Sequence, residues 1–142
     1  MNQIKPYAIL FFVLIGITFL IWLPHFLAFP QFFKLDFSQG FNNIYRNFDG
    51  INYVVIAKSL YLPEKIAELP QSLPAVYYAA HFPGYPLAMI IFAPFLGFLK
   101  SMILTSLLFT LLSVWTFYKL VKDFELTKQP LWLSILFLVL PA

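Results

Sequence analysis

The stretch YAILFFVLIGITFLIWL, residues 7–23, decides the class of this protein. It carries no charged residue, and through Pro24 and His25 it extends to Phe29. A helix rises about 1.5 Å per residue, so about 20 apolar residues cross the hydrocarbon core of a bilayer. The run therefore predicts a transmembrane helix over residues 7–29. A secretory signal peptide has an apolar core of only about 7–15 residues, followed by a small-residue cleavage site. This run is longer and no such site follows it, so it reads as an uncleaved anchor.

The rest of the chain agrees. Of its 142 residues, 61% are hydrophobic, 20% aromatic and only 11% charged. A soluble domain carries about 25% charged residues, so this chain cannot cover a surface in water. Its 18 Phe and 8 Tyr suit lipid-facing and interfacial positions. The expected fold class is an all-α, polytopic integral membrane protein with the lipid bilayer as partner. The net charge is +3 without a basic run, which excludes nucleic acid as a partner. Cysteine is absent, which excludes disulfides and thiolate metal sites. Residues 131–142 are almost wholly apolar and stop without a polar flank. They read as the start of a truncated transmembrane helix, making 1–142 a single membrane domain, the N-terminal part of a larger module.

Residues 30–83 are the long water-compatible segment. Lys34, Arg46, Lys58 and Lys65 there balance Asp36, Asp49, Glu64 and Glu68. A loop of that length has a function or its own structure. Asp49-Gly50 opens a predicted helix over 51–61, with Tyr53, Ile56, Ala57, Leu60 and Tyr61 on one apolar stripe. Asn52, Lys58 and Ser59 fall off that stripe, which predicts a short helix lying in the membrane interface. Pro63 is expected to stop it. Pro70 and Pro74 then break up a connector before 75–80.

Residues 84–99 are a short apolar membrane segment punctuated by Pro86, Pro94 and Gly97. Residues 101–120 predict a second long transmembrane helix. Lys119, Lys122, Asp123, Glu125 and Lys128 then form a charged connector. Lys5 places the N-terminus in the cytoplasm and loop 30–83 on the extracytoplasmic face of the cell membrane. If 84–99 crosses, with Lys100 at an inner turn, the connector lysines lie outside, against the positive-inside tendency. If it does not cross, they are cytoplasmic. Crossing is the expectation taken.

Chemistry is concentrated in NFDGINYVVIAKSLY, residues 47–61, and AHFPGYP, residues 80–86. Asp49 is the candidate catalytic residue, because a carboxylate can take a proton from an attacking hydroxyl as general base. Asp is also a favoured helix N-cap, and the two roles are compatible. Arg46 is the only arginine in the chain. Its planar fork suits a phosphate, and lipid phosphate or Asp49 are equally open partners. Lys58 can serve a phosphate or snorkel to water. His81 can bind a phosphate or a sugar hydroxyl, or hold structure. Tyr53 and Tyr85 can stack on a sugar ring or sit as interfacial aromatics. Asp36 is a metal or substrate ligand, or a solvated loop acid. No metal-ligand spacing occurs, so no metal site is assigned, no cofactor is certain, and a divalent metal stays open.

At Phe48-Asp49-Gly50-Ile51-Asn52-Tyr53, then Ile56-Ala57 and Tyr61, then His81-Phe82-Pro83-Gly84-Tyr85-Pro86, the chain resembles the PIG-V-like mannosyltransferases. These are polytopic glycosyltransferases of the GT-C fold. Their first outer loop reads Trp-Asp-Gly, Tyr, Ile-Ala, Gly-Tyr, and a Phe-Phe-Pro-x-Tyr-Pro element opens the next membrane segment. Phe48 stands in place of Trp, Leu60 in place of Gly and His81 in place of Phe. These departures leave neighbouring GT-C families, such as the lipid A aminoarabinose and protein O-mannosyl transferases, as alternatives. The resemblance implies transfer of a sugar, mannose, from a polyprenyl-phosphate donor to an acceptor on the extracytoplasmic face. It maps the loop acid onto Asp49 as base. Inversion at the anomeric carbon would follow, with Arg46, Lys58 or His81 stabilising the departing phosphate. The chain alone is expected to be inactive, because a GT-C core needs more helices.

The rival reading is a non-catalytic polytopic membrane protein, a transporter or assembly-factor fragment. A transporter calls for charge inside the helices, which these apolar runs lack. No Gly-rich phosphate loop, nucleophile elbow or dinucleotide fingerprint is present, so a nucleotide site has no support.

Overall fold

The computed structural model describes residues 4–30, 34–46, 49–70 and 73–140. These form seven helices: α1 Ile4–Phe26, α2 Phe41–Tyr45, α3 Gly50–Ser59, α4 Pro63–Ala67, α5 Ala75–Tyr78, α6 Gly84–Asp123 and α7 Pro130–Val139. No strand occurs among the described residues. α1 and α6 are long and apolar enough to cross a membrane, with mean hydropathy reaching 2.4 and 2.1. Only Leu10 and Leu14 of α1 are buried, while Phe12, Phe19, Leu20 and Ile21 stand exposed. So large an apolar surface suits lipid rather than water.

α6 is a hairpin, not a rod. Along a continuous helix Tyr85 and Phe109 would lie about 36 Å apart. Their ring centroids are 6.3 Å apart. The Tyr85 hydroxyl also donates to the Met102 carbonyl at 2.9 Å and meets the Ser106 hydroxyl at 2.6 Å. The reversal sits at Gly97, with φ 73° and ψ 161°, a conformation in which a side chain would be strained. Ser101 Oγ–H donates to the Gly97 carbonyl at 2.7 Å and steadies the turn.

This corrects the expected boundary, because Lys100 lies inside the second limb rather than at the turn. The first limb, 84–96, is about 20 Å long and the second, 98–123, about 39 Å, against a hydrocarbon core of about 30 Å. The first limb starts level with Ser106–Phe109 and ends at the turn, alongside only the first part of the second limb.

α1 packs on the far part of that second limb. Leu10, Val114 and Tyr118 form a buried cluster with Leu131 and Ile135 of α7 beside it. Trp115 Nε1–H donates to the Tyr7 carbonyl at 3.2 Å, and Tyr7 meets the Trp115 and Tyr118 rings edge-on. The start of α1 therefore lies beside the end of α6. At the other end of α1, Trp22 and Phe26 contact Phe41 of α2, and His25 Nδ1–H donates to the Gly40 carbonyl at 3.1 Å. The loop is tied to one end of α1 and the connector 124–129 to the opposite end.

α3 is the centre of the loop assembly and buries two faces rather than one apolar stripe. Val54 and Ala57 pack on Met89 and Met102 of α6. Val55 and Ile56 pack the other way, on Ile66 of α4 and Tyr78 of α5. Ser59, expected on the polar side, is wholly buried. The helix ends at Ser59 because Leu60 and Tyr61 turn left-handed, with φ 51° and 64°. Pro63, expected as the stop, instead opens α4 at its first position, where its missing N–H costs nothing. α7 likewise starts at a proline, Pro130.

Candidate functional site

Asp49 occupies the N-cap position of α3, yet its side chain caps nothing. Oδ1 accepts a hydrogen bond from Asn52 Nδ2 at 3.1 Å. Oδ2 lies 3.9 Å from His81 Nε2, beyond hydrogen-bond reach but within range of charge attraction. The Asp49 side chain is 52% exposed and that of His81 only 10%. A close approach holds the acid in place: a Cβ on Gly50 would stand 2.6 Å from the Tyr45 carbonyl oxygen, so only glycine fits after Asp49.

His81 is held on all sides. Its N–H donates to the Tyr78 carbonyl at 3.0 Å, and its own carbonyl accepts from the Tyr61 hydroxyl at 2.7 Å. Burial pushes the Tyr61 phenol up, so it stays a neutral donor at physiological pH. The Tyr53 ring meets the imidazole edge-on at 5.5 Å, and Tyr77 flanks it at the same distance. The His81 Nδ1 atom is buried and has no hydrogen-bond partner among the described residues, which is unusual for a polar atom.

Asp49, Tyr53, Tyr77 and His81 line a cavity of about 490 Å³. Val76 and Phe82 form part of its wall and are 80% and 88% exposed. A polar cavity with an uncovered apolar rim can admit a ligand with a polar head and a lipid tail.

A second cavity, about 630 Å³, lies at the loop end of α1. Trp22, His25, Asp36, Asn43 and Arg46 line it. Asn43 Nδ2 donates to the Asp36 carbonyl at 2.7 Å. Hydrogen bonds from the Ser38 side chain, then its backbone N–H, hold the Asp36 carboxyl below the usual carboxylate range. The acid is therefore charged at neutral pH. Arg46 is exposed and forms no ion pair among the described residues.

Of the residues singled out from sequence, Asp49, Tyr53 and His81 come together. Arg46 lines the second cavity and forms no ion pair with Asp49 among the described residues. Tyr85 spends its hydroxyl on the hairpin and lines neither cavity, although its ring touches Tyr53 at 4.9 Å. Lys58 points elsewhere, its ammonium 5.5 Å from the Phe98 ring centroid. Such a contact is worth about 0.5–1 kcal/mol at an exposed site. Phe48, which carries part of the motif resemblance, lies outside the described residues. Sequence reasoning missed Tyr77 and Asn52. Asn52 was within reach of a helical-spacing argument, since it follows Asp49 by three residues at the start of α3, whereas Tyr77 was not, because α5 ends at Tyr78, before His81.

Among the described residues, no three His, Cys, Asp or Glu side chains come together as a metal site. Compared with family models, curated proteins and solved structures, the chain matches none.

Proposed function

We propose that this chain forms part of a membrane-bound glycosyltransferase of GT-C type that takes its sugar, mannose, from a polyprenyl-phosphate donor. The observation that carries the reading is the Asp49 carboxylate. It does no capping work, is half exposed, and faces a cavity built from His81, Tyr53 and Tyr77. The motif resemblance supplies the substrate class, and the apolar rim at Val76 and Phe82 suits a donor that lives in lipid.

Asp49 accepts the proton of an acceptor hydroxyl as that oxygen bonds to the anomeric carbon. The bond from that carbon to the lipid phosphate breaks, and its electron pair leaves on the phosphate. Attack opposite the leaving group inverts the anomeric centre. Asn52 keeps one carboxylate oxygen oriented, and His81 faces the other. Arg46, three residues before Asp49, lies at most about 11 Å away along the backbone. That is near enough for its guanidinium to hold the departing phosphate, which needs little more than positioning and charge stabilisation. On this reading loop 30–83 faces the extracytoplasmic side.

The test is a donor comparison on the full-length gene product in membranes. Labelled mannose is offered on polyprenyl phosphate and, separately, on a nucleoside diphosphate. Product from the lipid donor alone is the expected result. Product from the nucleotide donor, or from neither, overturns the proposal.

A further inference from the structure

The end of the molecule away from Asp49 carries a third cavity, about 550 Å³, between the first turn of α1 and the turn into α7. Lys5 and Lys128 line it together with Ile9, Tyr118, Leu131 and Trp132. Two elements far apart in sequence thus bring two lysines to one apolar cleft. Neither lysine forms an ion pair among the described residues. Nearby, Lys119 is already bound to Asp123. Glu125 borders the adjoining hollow, but Lys122 and Lys128 border it too. The four lysines at this end, Lys5, Lys119, Lys122 and Lys128, outnumber the two acids, Asp123 and Glu125.

We propose that this cleft binds the headgroup of an anionic phospholipid. Lys5 and Lys128 would pair with the phosphodiester, and an acyl chain would lie along Ile9 and Leu131. Three features favour a lipid over a soluble anion. The cleft opens at the ends of the two helices long and apolar enough to cross a membrane. Its wall mixes cations with apolar side chains, matching a diacyl lipid and not a bare phosphate. Trp132 is 64% exposed at its mouth, the placement of an aromatic at the headgroup level. Basic pockets between membrane helices bind anionic headgroups in this way. The proposal stands independently of the transferase reading, because it uses none of the residues near Asp49.

The test is native mass spectrometry of the full-length protein released from bilayers of phosphatidylglycerol and phosphatidylcholine, with soluble glycerol phosphate as a separate arm. Each lysine near an anionic headgroup contributes a factor of about five. The wild type should thus retain phosphatidylglycerol over phosphatidylcholine by up to about 25-fold. The Lys5→Gln/Lys128→Gln variant should lose that preference, and Lys65→Gln, on the loop, should keep it. Equal retention of both lipids, or a preference that survives the double substitution, overturns the proposal. Equal binding of glycerol phosphate overturns the lipid assignment in favour of a soluble phosphate ligand.

Discussion

His81 takes the place of a phenylalanine in the motif this chain resembles, and it brings to Asp49 a group that can carry charge. Its Nε2 lies 3.9 Å from the carboxylate, and its Nδ1 is buried without a partner among the described residues. A ligand hydroxyl or phosphate oxygen in the cavity would meet the imidazole at Nε2, the nitrogen beside the carboxylate. We expect His81→Phe to keep the fold, because three tyrosine rings already surround the site. It should lower transfer by roughly the 10–100-fold that a lost charge-assisted hydrogen bond of about 1.5–3 kcal/mol implies. Steady-state transfer assays at matched expression check this, and an unchanged rate would make His81 purely structural. At this scale the sequence was informative about residue type. Asp49, His81 and Tyr53 were legible because little else in so apolar a chain can do polar chemistry. What their side chains touch was not legible. Asp49 sits where a cap belongs, and only the folded loop turns its oxygens to Asn52 and His81. The roles open to Lys58 and Tyr85 were decided by Phe98 and Met102, partners distant in sequence.

Among the elements, the hairpin of α6 positions the site. It sets Tyr85 under Tyr53 and gives α3 the surface formed by Met89 and Met102. Its turn depends on one residue. Gly97→Ala forces a side chain into φ 73°, at a cost of order 1–3 kcal/mol. We expect that variant to unfold at lower temperature in detergent and to loosen the limbs. With cysteines at Tyr85 and Ser106, a short dithiol cross-linker should join the limbs in an otherwise cysteine-free chain, and join them less efficiently once Gly97 is replaced. Cross-linking that Gly97→Ala leaves unaltered would argue against the turn. Proline and glycine punctuation announced an interrupted segment at 84–99, but the direction of the chain after it depends on contacts no local pattern encodes. α3 teaches the same point. Its sequence carries a good one-sided stripe, yet Val55 is as buried as Ala57, because α4 and α5 fold over the second face.

For the whole molecule, the arrangement of ends matters most. The loop assembly is tied to one end of α1, and Lys5 shares a cleft with Lys128 at the other. That geometry places the lysines of 119–128 at the same end as the N-terminus, the arrangement expected under the positive-inside tendency if the 84–96 limb does not cross. Single cysteines at Lys65 and Glu125 should therefore react with an impermeant maleimide from opposite sides of sealed vesicles. Labelling of both from the same side would mean that the first limb crosses. The membrane class was legible from residues 7–23, an uncharged apolar run long enough to cross a bilayer in a chain with only 11% charged residues. The end of the molecule at which each charged cluster lies turned on a single glycine, and hydropathy does not carry that information.

The central claim is that the Asp49 carboxylate works on a substrate and not on the backbone of α3. It is tested most directly by measuring stability and sugar transfer together in Asp49→Asn. The substitution keeps the shape of the side chain and an oxygen for Asn52 while removing the charge and the base. A catalytic Asp49 requires that thermal unfolding stay within about 0.5 kcal/mol of wild type, as for a surface change. Transfer from the polyprenyl-phosphate donor should then fall by about 10²–10⁴, the usual contribution of a general base. The opposite pattern, transfer retained in Asp49→Asn while Asp49→Ala lowers stability by the roughly 0.5–2 kcal/mol of a lost helix cap, would contradict the account.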